Sequence, residues 1–588
     1  MESSYQSVFL SLAISLFFLF GLITYVFVFP KKKVSLFVLM LLISCLPVIS
    51  IFRYGTYESG DFNIHVYRTI SFVEAIGDGQ LMPSWPRDLN ATYGYPLFIW
   101  LNSLPYYFIS IFVLFGFSYI MSAKLFLAGS YILSGLTFWM FAKKNIKSNI
   151  AVFTATILYL FAPYHFVDLH FRAAIGETFS FVILPLFMLA IHLLVDKKNV
   201  FSVLVLGCVW GVFILTHHAI AVFSLALGTL YFVFLLIHTK QLSTRNILLY
   251  LFSLAIGFLL SLYVWLPHVL MATYTYGALL SNPMVSFPHI QDLLFSPYRF
   301  GLLFQGPRGE LSYAIGYIHL IFVLIGFVLL FISKQLKHNR SELLFYLFIV
   351  VGLFIMMTPF SSFIWDTIPL IKSVQFSTRL LVLMTYVTSL IGGIVVSTIK
   401  FKKLFLYILI FFTISLTILN WGHRRIIPEI TDDTLKQQLW LSTARGEGFF
   451  GLGNPKWIDF SKQWIAEKPK AHIEILEGKG EATLIKRTSN EHIYSLVANS
   501  DLLVKENTLY FPGWTLEIDT NKTKINPSHE EYPGIITFSV PKGHHTVRLA
   551  YSDIPLLRNA KIVSVSTSGI LLFYFAFVLS KRMRLFLK

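Results

Sequence analysis

Cysteine and charge are both scarce in this chain of 588 residues, which has two cysteines and 13% charged residues. Cys45 and Cys208 both lie in apolar runs, so the sequence offers neither a disulfide framework nor a cysteine-based zinc site. The scarcity of charge excludes an ordinary soluble domain, in which about a quarter of the residues are charged. Intrinsic disorder is excluded as well, because disordered chains combine low hydrophobicity with high net charge.

Several catalytic motifs are also absent from the sequence, namely GxxxxGK[ST], HExxH and GxSxG. Phosphate-loop, zincin and esterase functions therefore have no motif support. Ionisable groups are rare inside the apolar runs, His192 and His319 being the main exceptions. An ion-coupled carrier usually places such groups at mid-membrane, so the pattern disfavours that class.

Apolar residues are abundant, at 56% of the chain, and the mean hydropathy is +0.68. Runs long enough to cross a bilayer indicate a polytopic α-helical membrane protein with about thirteen transmembrane helices. The predicted spans are 6–29, 34–52, 119–142, 150–167, 179–195, 200–216, 219–238, 247–267, 312–333, 341–357, 376–397, 404–420 and 559–580.

The net charge of +17 comes largely from basic clusters, and these clusters occupy alternate connections between the predicted spans. Lys31–Lys33 follow the first apolar run, whose leader has no basic residue, so this run is expected to be a span and not a cleavable signal. By the positive-inside rule the N-terminus is outside and the C-terminal KRMRLFLK tail is cytoplasmic. The charge is thus an orientation signal, and we expect membrane lipids as partners and no nucleic acid.

Three long segments fall outside the membrane in this topology: 53–118, 268–311 and 421–557. Within the first, residues 96–118 are apolar but contain Asn102 and Pro105, which favours a juxtamembrane helix over a span. The third alternates apolar and polar residues, as in TLYFPGWTLEIDT, which predicts an extracellular β-rich domain. The domains are then 1–420, 421–557, and 558–588 with the last span and the basic tail.

Candidate chemistry begins in the first outer segment, where Asp61 and His65 follow a span. Their i, i+4 spacing places both on one face of a helix. Such a pair could bind a divalent metal or serve as acid and base, and a solvated start of the loop is the alternative.

The second cluster is YHFVDLHFRAAIGETF, residues 164–179, which concentrates charge between two spans. Asp168, Arg172 and Glu177 would be costly beside hydrocarbon unless they are paired or face a water-filled cavity. One interpretation is an Arg172–Glu177 salt bridge. The other is a carboxylate that faces the same cavity as Asp61, with Arg172 binding phosphate.

Two further regions offer weaker signals. Lys372 and Arg379 lie near the start of a span, where two cations suit an anionic lipid headgroup or act as interfacial anchors. In the β-rich domain, Tyr510, Phe511 and Trp514 could stack on sugar rings, although core packing is the commoner role of such residues.

Four segments together resemble the GT-C superfamily of polytopic glycosyltransferases. They are similar to the bacterial membrane-protein family named "6-pyruvoyl-tetrahydropterin synthase-related" and its YfhO-like relatives. The segments are GDFNIHVYRTISFVEAIGDGQLMPSWPRDLNATYGYPLFIWLNSLPYY, APYHFVDLHFRAAIGETFSFVILPL, IPLIKSVQFSTR and YFPGWTLEID. Two departures are an additional N-terminal span and QFSTR, where relatives have Pro-Trp before the Arg.

The resemblance implies an enzyme that takes a sugar from a polyprenyl-phosphate donor and transfers it to an extracytoplasmic glycan acceptor, such as a cell-wall polysaccharide or teichoic acid. It implies Asp61 as the catalytic base, with Glu177 or Asp168 as the second acid and His65 orienting the base. Arg172, Arg379 and Lys372 would bind the donor phosphate. A divalent Mg or Mn ion could be held by Asp61, His65 and Glu177. The expected location is a bacterial cytoplasmic membrane.

Two other functions remain open at this stage. A transporter or flippase of lipid-linked sugars would share the headgroup cavity but needs no base. A non-catalytic envelope assembly protein would act through its extracellular domain instead.

Overall fold

The structure of this chain is a computed structural model, and the ranges that it describes cover most of the sequence. They are 35–275, 285–332, 339–368, 374–399, 403–421, 425–438, 455–459, 461–462 and 467–586, together with residue 371 and scattered positions from 13 to 29. The first predicted span, 6–29, therefore lies largely outside the described residues.

Helices form most of the chain before residue 438. In chain order they are α1 (Leu36–Cys45), α2 (Phe62–Gly77), α3 (Leu97–Trp100), α4 (Leu104–Leu114), α5 (Tyr119–Asn145), α6 (Asn149–Leu160), α7 (Pro163–Phe166), α8 (Ile175–Lys197), α9 (Val200–Thr216), α10 (His218–His238), α11 (Thr244–Leu260), α12 (Leu262–Leu270), α13 (Ile290–Leu294), α14 (Tyr317–Ile332), α15 (Arg340–Met356), α16 (Ser362–Thr367), α17 (Leu381–Thr398), α18 (Lys403–Ile418), α19 (Asp432–Gln437) and α20 (Pro555–Phe586).

Strands are concentrated between residues 473 and 551. They are β1 (Thr56–Tyr57), β2 (Ile426–Ile427), β3 (Ile473–Glu477), β4 (Gly480–Arg487), β5 (Glu491–Ala498), β6 (Leu502–Leu509), β7 (Trp514–Ile518), β8 (Asn521–Thr523), β9 (Asn526–Ser528), β10 (Pro533–Val540) and β11 (Gly543–Tyr551).

The predicted membrane character fits the helices, although the predicted number of spans is not confirmed. Among the described residues, five helices are long and apolar enough to cross a membrane, or up to eight if each bent pair is one span. Shorter apolar helices account for further predicted spans, among them Val200–Thr216 and Tyr317–Ile332. The chain therefore fits a multi-pass membrane protein, and the predicted count of thirteen spans is not confirmed by the described residues.

Three pairs of consecutive helices are separated by a sharp bend, and two of these bends divide a predicted span, 150–167 or 247–267. The pairs are α6 with α7 (49°), α11 with α12 (80°), and the pair formed by α15 with residues 359–367 (87°). Pro163 and Pro359 stand at the start of the second helix in two pairs. A proline cannot donate the hydrogen bond that would continue the helix, so the chain turns there.

The chain divides into two compact units, and the first consists of Met1–Phe62, Ile120–Phe258 and Pro283–Ile430. In its core α17 packs on α6, and Gly393 allows the two helices to approach closely. A Cβ at Gly393 would lie 2.6 Å from the Ile146 side chain and 2.9 Å from Ala155 Cβ. Small residues at helix crossings give this kind of tight packing in membrane proteins. The segment Ser377–Thr398 is accordingly almost entirely buried.

The second unit consists of Asn63–Tyr119, Leu259–Asn282 and Thr431–Lys588. Its strands form two antiparallel sheets, ordered β3-β6-β10-β9 and β4-β5-β11-β7-β8. The β-rich character that the alternating pattern predicts for this region is therefore confirmed, and its extracellular position stays a prediction. Phe511 and Trp514 are buried, so core packing is the confirmed role for these two aromatic residues.

Part of the first outer segment belongs to the same unit as the sheets. Arg487 donates to Asp88 Oδ1 at 2.7 Å and to the carbonyl oxygens of Arg87 and Thr92 at 2.9 Å each. Asp78 Oδ2 accepts from the Ser489 hydroxyl at 2.7 Å. The extent of the predicted domains stays a prediction, but these contacts attach residues 78–92 firmly to the β-rich region.

Residues 96–118 form two short helices instead of one long one. Asn102 lies in the break between α3 and α4, and Pro105 is at the start of α4. An eleven-residue helix such as α4 rises only about 17 Å, which is too short for a single span. The juxtamembrane position of this segment stays a prediction.

Candidate active site

A π-helical turn at Val167–Arg172 shapes the predicted charged cluster in the first unit. Ala173 follows with φ of 54°, and its N–H donates to the Asp168 carbonyl oxygen. Ala174 N–H donates to the same oxygen at 3.0 Å. The turn ends the bent pair α6–α7 and lets α8 begin at Ile175. As a result Asp168, Arg172 and Glu177 all lie around one point, and such turns often occur at functional sites.

Glu177, in the first turn of α8, is the centre of this cluster. Its Oε1 accepts from Arg172 Nη2 at 2.8 Å and from Arg379 Nε at 3.1 Å, while its Oε2 accepts from the Tyr164 hydroxyl at 2.9 Å. The carboxylate is almost completely buried. The Arg172–Glu177 salt bridge, one of the two interpretations of the sequence, is therefore present. Arg379, which is 202 residues away in the chain, is a second cationic partner of Glu177.

Asp168 is buried beside the same guanidinium but is not fully satisfied. Its Oδ1 accepts from Arg172 Nη1 at 2.9 Å. Its Oδ2 is buried and has no hydrogen-bond partner in the part of the chain that the structure describes. An orphaned buried acceptor is costly, so this oxygen is a candidate acceptor for a group other than the described residues.

His217 lies at the border of the cluster, between α9 and α10. Its Nε2 is 3.9 Å from Glu177 Oε1, and its Nδ1 accepts from the Ile220 N–H and so caps α10. Gly176 makes this approach possible, since a Cβ there would lie 3.0 Å from both the His217 ring and the Thr216 carbonyl oxygen.

The backbone of the first outer segment reaches the cluster directly. Gly60 N–H donates to the Phe171 carbonyl oxygen and Asp61 N–H to the Arg172 carbonyl oxygen, each at 2.8 Å. Ser59 Oγ accepts from the Phe62 N–H at 3.2 Å, which caps the start of α2. Asp61 thus precedes the positive end of α2, where a carboxylate is stabilised. The structure brings Asp61 next to the segment that carries Asp168 and Arg172.

His65 lies one turn further along α2 and has its own partner. Its Nδ1 lies 2.8 Å from the Tyr106 hydroxyl of α4, and Arg68 Nη1 donates to the same hydroxyl at 3.5 Å. The His65 ring is thereby oriented by α4. Its role beside Asp61 stays a prediction.

The predicted region of Lys372 and Arg379 joins the cluster through Arg379. Arg379 Nη1 donates to the Val374 carbonyl oxygen at 2.7 Å. Ser286, from the second outer segment, pairs with residues 375–377. Its N–H donates to Gln375 O at 2.8 Å, and Ser377 N–H donates to Ser286 O at 3.1 Å. Lys372 lies outside the described residues.

Two cations that the sequence analysis did not select lie in the first unit, close to the start of the outer segment. The Arg53 guanidinium nitrogens are buried, and within the described ranges none of the three has a hydrogen-bond partner. Burial lowers the pKa of Arg53 from its usual value. The Lys124 ammonium of α5 donates to the carbonyl oxygens of Arg53 and Gly55, the latter at 2.6 Å. The sequence does contain a signal for Lys124, because it is a lone charge near the start of an apolar run.

Tyr313, which lies within the predicted span 312–333 but before the observed helix α14, is a further residue that the sequence did not single out. Burial raises the pKa of its hydroxyl, and the nearby Arg172 opposes that rise. The residue precedes α14, so its phenol contributes a polar group to the surroundings of Arg172.

The predicted metal ligands do not suit a metal ion in this arrangement. Both oxygens of Glu177 already accept hydrogen bonds, two of them from cationic guanidinium groups. A divalent cation would be repelled by those neighbours. Among the described residues no group of three His, Cys, Asp or Glu side chains is placed to hold a metal.

The cluster as a whole is electrically balanced. Two carboxylates, Asp168 and Glu177, face two guanidinium groups, Arg172 and Arg379. Buried charges are tolerated when they are paired in this way. The arrangement can fix the position of a backbone segment and present Asp168 Oδ2 and the neighbouring Asp61 to a bound molecule.

Comparison with known proteins leaves the family open. No protein-family model matches the chain. A protein of Lactococcus lactis subsp. cremoris described as uncharacterized is 23% identical over 218 residues, or 36% of each chain.

Two solved structures are similar in fold. Arabinofuranosyltransferase AftD from Mycobacteria is 13% identical with a TM-score of 0.40, over 66% of this chain and 27% of AftD. The oligosaccharyltransferase AglB from Archaeoglobus fulgidus, in complex with an inhibitory peptide and a dolichol-phosphate, is 14% identical with a TM-score of 0.36, over 73% of this chain and 56% of AglB. The chain thus spans less than two thirds of each of these proteins.

Proposed function

We propose that this chain is a membrane glycosyltransferase that moves a sugar from a polyprenyl-phosphate donor to an extracytoplasmic glycan acceptor. A cell-wall polysaccharide or teichoic acid is the acceptor that the sequence resemblance favours. The observation that carries the proposal is the backbone pairing of Gly60 and Asp61 with Phe171 and Arg172. It joins the predicted base to the buried charge cluster, which the sequence places in separate loops.

In this proposal Asp61 is the general base. Its carboxylate takes the proton of an acceptor hydroxyl while the hydroxyl oxygen bonds to the anomeric carbon of the donor sugar. The bond between that carbon and the phosphate oxygen breaks, and polyprenyl phosphate leaves with the electron pair. Phosphate is a good leaving group, so a base and charge stabilisation are the main requirements.

Glu177 has a positioning role in the same proposal. Its two oxygens are used by Arg172, Arg379 and Tyr164, so it is poorly placed to accept a further proton. It holds both guanidinium groups beside the segment that pairs with Asp61. Asp168, with one unpartnered oxygen, is the better candidate to accept a hydrogen bond from a sugar hydroxyl.

Arg53 is the group we assign to the donor phosphate. Arg172 and Arg379 are neutralised by carboxylates, whereas each Arg53 guanidinium nitrogen is unpartnered among the described residues. A planar guanidinium suits a phosphate monoester or diester through paired hydrogen bonds. Arg379 keeps a secondary role, and Lys372 stays a predicted contributor.

The proposal is tested by release of polyprenyl phosphate from purified full-length protein in nanodiscs. The substrates are a panel of polyprenyl-phosphate sugars with cell-wall extract as acceptor. We expect Asp61→Asn to lower turnover by about a thousandfold, which is the usual size of a general-base contribution. Glu58→Gln is the matched control, because Glu58 is an exposed acid three residues earlier, and it should keep turnover within about twofold.

Equal turnover in Asp61→Asn and the wild type would remove Asp61 from the chemistry. If the wild type cleaved no donor but moved labelled lipid-linked sugar across the bilayer, the flippase alternative would replace the transferase.

For Arg53, the expected result of Arg53→Gln is a rise of at least about tenfold in the donor KM, because a buried charged hydrogen bond is lost.

A further inference from the structure

A polar cavity of about 280 Å³ lies in the second unit, apart from the cluster described above. It is lined by Gln80, Met82, Asn490, Tyr551, Asp553 and Lys561. These residues come from the first outer segment, from the β-rich region and from the start of α20. Convergence of three chain segments on one concave polar space is typical of a ligand site.

The charged groups of this cavity neutralise each other. Lys561 Nζ donates to Asp553 Oδ2 at 2.6 Å, to the Ser84 hydroxyl at 2.7 Å and to the Met82 carbonyl oxygen at 2.7 Å. An ammonium group has three protons, so none is left for an anionic ligand. The lining has no net charge, and a phosphate headgroup would gain little there.

Uncharged polar groups, by contrast, remain available. Asn490 Oδ1 accepts from the Thr488 hydroxyl at 3.0 Å, but within the described ranges its Nδ2 has no protein partner. The Tyr551 hydroxyl likewise has none there, although its ring packs against Trp85 and Trp514. Asp553 accepts one hydrogen bond on each oxygen, so each oxygen has a second lone pair.

This set of groups matches the chemistry of a sugar. Each sugar hydroxyl both donates and accepts, and it can therefore bond to an amide N–H and a carboxylate oxygen at the same time. The Met82 side chain offers an apolar contact for the C–H face of the ring. A neutral ligand also explains why the only cation in the lining is already satisfied.

We propose that this cavity binds a neutral carbohydrate. As the site for a sugar unit of the acceptor glycan, it rests on the proposed transferase function, whereas carbohydrate binding as such does not. Asn490 and Tyr551 donate to ring hydroxyls, and Asp553 accepts from them. None of these groups belongs to the charged cluster, so the bound sugar contributes affinity for the acceptor and no chemistry.

Binding is measured by saturation-transfer NMR and calorimetry on the full chain in nanodiscs. The probes are the methyl glycosides of glucose, galactose and N-acetylglucosamine, maltotriose, and glycerol 3-phosphate. We expect at least one neutral probe to bind with a millimolar Kd and glycerol 3-phosphate not to bind. Asn490→Ala and Tyr551→Phe should each weaken that binding at least about fivefold. Asn521→Ala, an exposed asparagine on β8, should leave it unchanged.

The thermal unfolding of each variant shows whether it is folded, and Tyr551→Phe keeps the buried ring in place. The proposal is overturned if no neutral probe binds, if Asn490→Ala and Tyr551→Phe bind as the wild type does, or if glycerol 3-phosphate occupies the site instead. Donor cleavage with water as acceptor should be the same in all variants. If no donor is cleaved by the wild type but a glycoside still binds, the transferase proposal fails and the carbohydrate site stands.

Discussion

Two charge clusters in this chain consist of the same types of residue but have different roles. In the first unit, Arg172 and Arg379 bind Glu177 and Asp168 around the start of α8. In the second unit, Arg87 and Arg487 bind Asp78 and Asp88 of the first outer segment. Among the described residues, the first cluster leaves Asp168 Oδ2 buried without a partner, whereas both oxygens of Asp88 and the Oδ2 of Asp78 accept from arginines.

The first cluster therefore has a feature of a binding site, whereas the second acts as a structural contact. In the second cluster the arginines join residues that are about 400 positions apart. Backbone carbonyl oxygens also accept from Arg487 Nη2 and Arg87 Nη1, and only Arg487 Nε is buried without a partner among the described donors of these two arginines. In the first cluster Asp168 Oδ2 is unsatisfied among the described residues and lies beside the segment that pairs with Asp61. An unsatisfied buried group costs stability, and such a cost is expected where binding requires it.

The largest expected effect is from Glu177→Ala, which leaves two guanidinium groups without their common partner. Breaking a buried ion pair in this way costs about 3–5 kcal/mol of unfolding free energy. Chemical unfolding of the full chain in detergent measures it. Asp196→Ala is the control, because the Asp196–Lys144 pair is exposed, and it should cost less than about 1 kcal/mol. Equal costs for the two variants would contradict the central role of Glu177.

Arg487→Met tests the second cluster. It removes one ion pair and two bonds to carbonyl oxygens, which we expect to cost about 2–3 kcal/mol. Because these contacts face no proposed substrate, the folded fraction should cleave donor at a rate within about twofold of the wild type. A large loss of turnover without a loss of stability would mean that this cluster belongs to a site after all.

Glu74 provides a pH-dependent test of the same unit. Burial and the nearby Asp88 raise the pKa of its carboxyl to about 7. An acid whose folded pKa is raised stabilises the fold at low pH, and this stability is lost as the pH rises from about 4.5 through 7. The melting temperature of the wild type should therefore fall relative to that of Glu74→Gln between pH 5 and pH 8. A constant difference over this range would refute the shift.

The smallest effect should come from Arg548→Ala on the surface of the β-rich region. Arg548 bonds to Glu491 at 2.8 Å and Glu517 at 3.1 Å, but its side chain is 46% exposed. Solvent and salt screen such pairs. We expect a change below about 1 kcal/mol in unfolding free energy, and a larger change would show that the exposed pairs support the sheets as the buried ones do.

The extent of the helices was largely predictable because a bilayer demands long apolar runs. Predicted spans such as 200–216 and 376–397 differ little from α9 and from the observed segment Ser377–Thr398. The bends were not predicted. The run 150–167 is apolar throughout, so hydropathy does not show that it is divided at Pro163.

The candidate site was predictable only where its members are close in sequence. Asp168, Arg172 and Glu177 lie within ten positions and were selected together. The bond between Arg379 and Glu177, and the backbone pairing that brings Asp61 to Arg172, depend on tertiary packing that no local pattern records. Arg53 was missed for the same reason, because its lack of a partner is visible only when its surroundings are known.

The π-helical turn at Val167–Arg172 makes the length of this segment as important as its composition. Such a turn contains one residue more than the same stretch of α-helix. Deleting one residue there would keep every charge and leave the hydropathy almost unchanged, yet it would rotate the following chain by about 100°. Glu177 would then leave the guanidinium groups. In evolution, this stretch should therefore tolerate exchanges of side chain more readily than insertions or deletions.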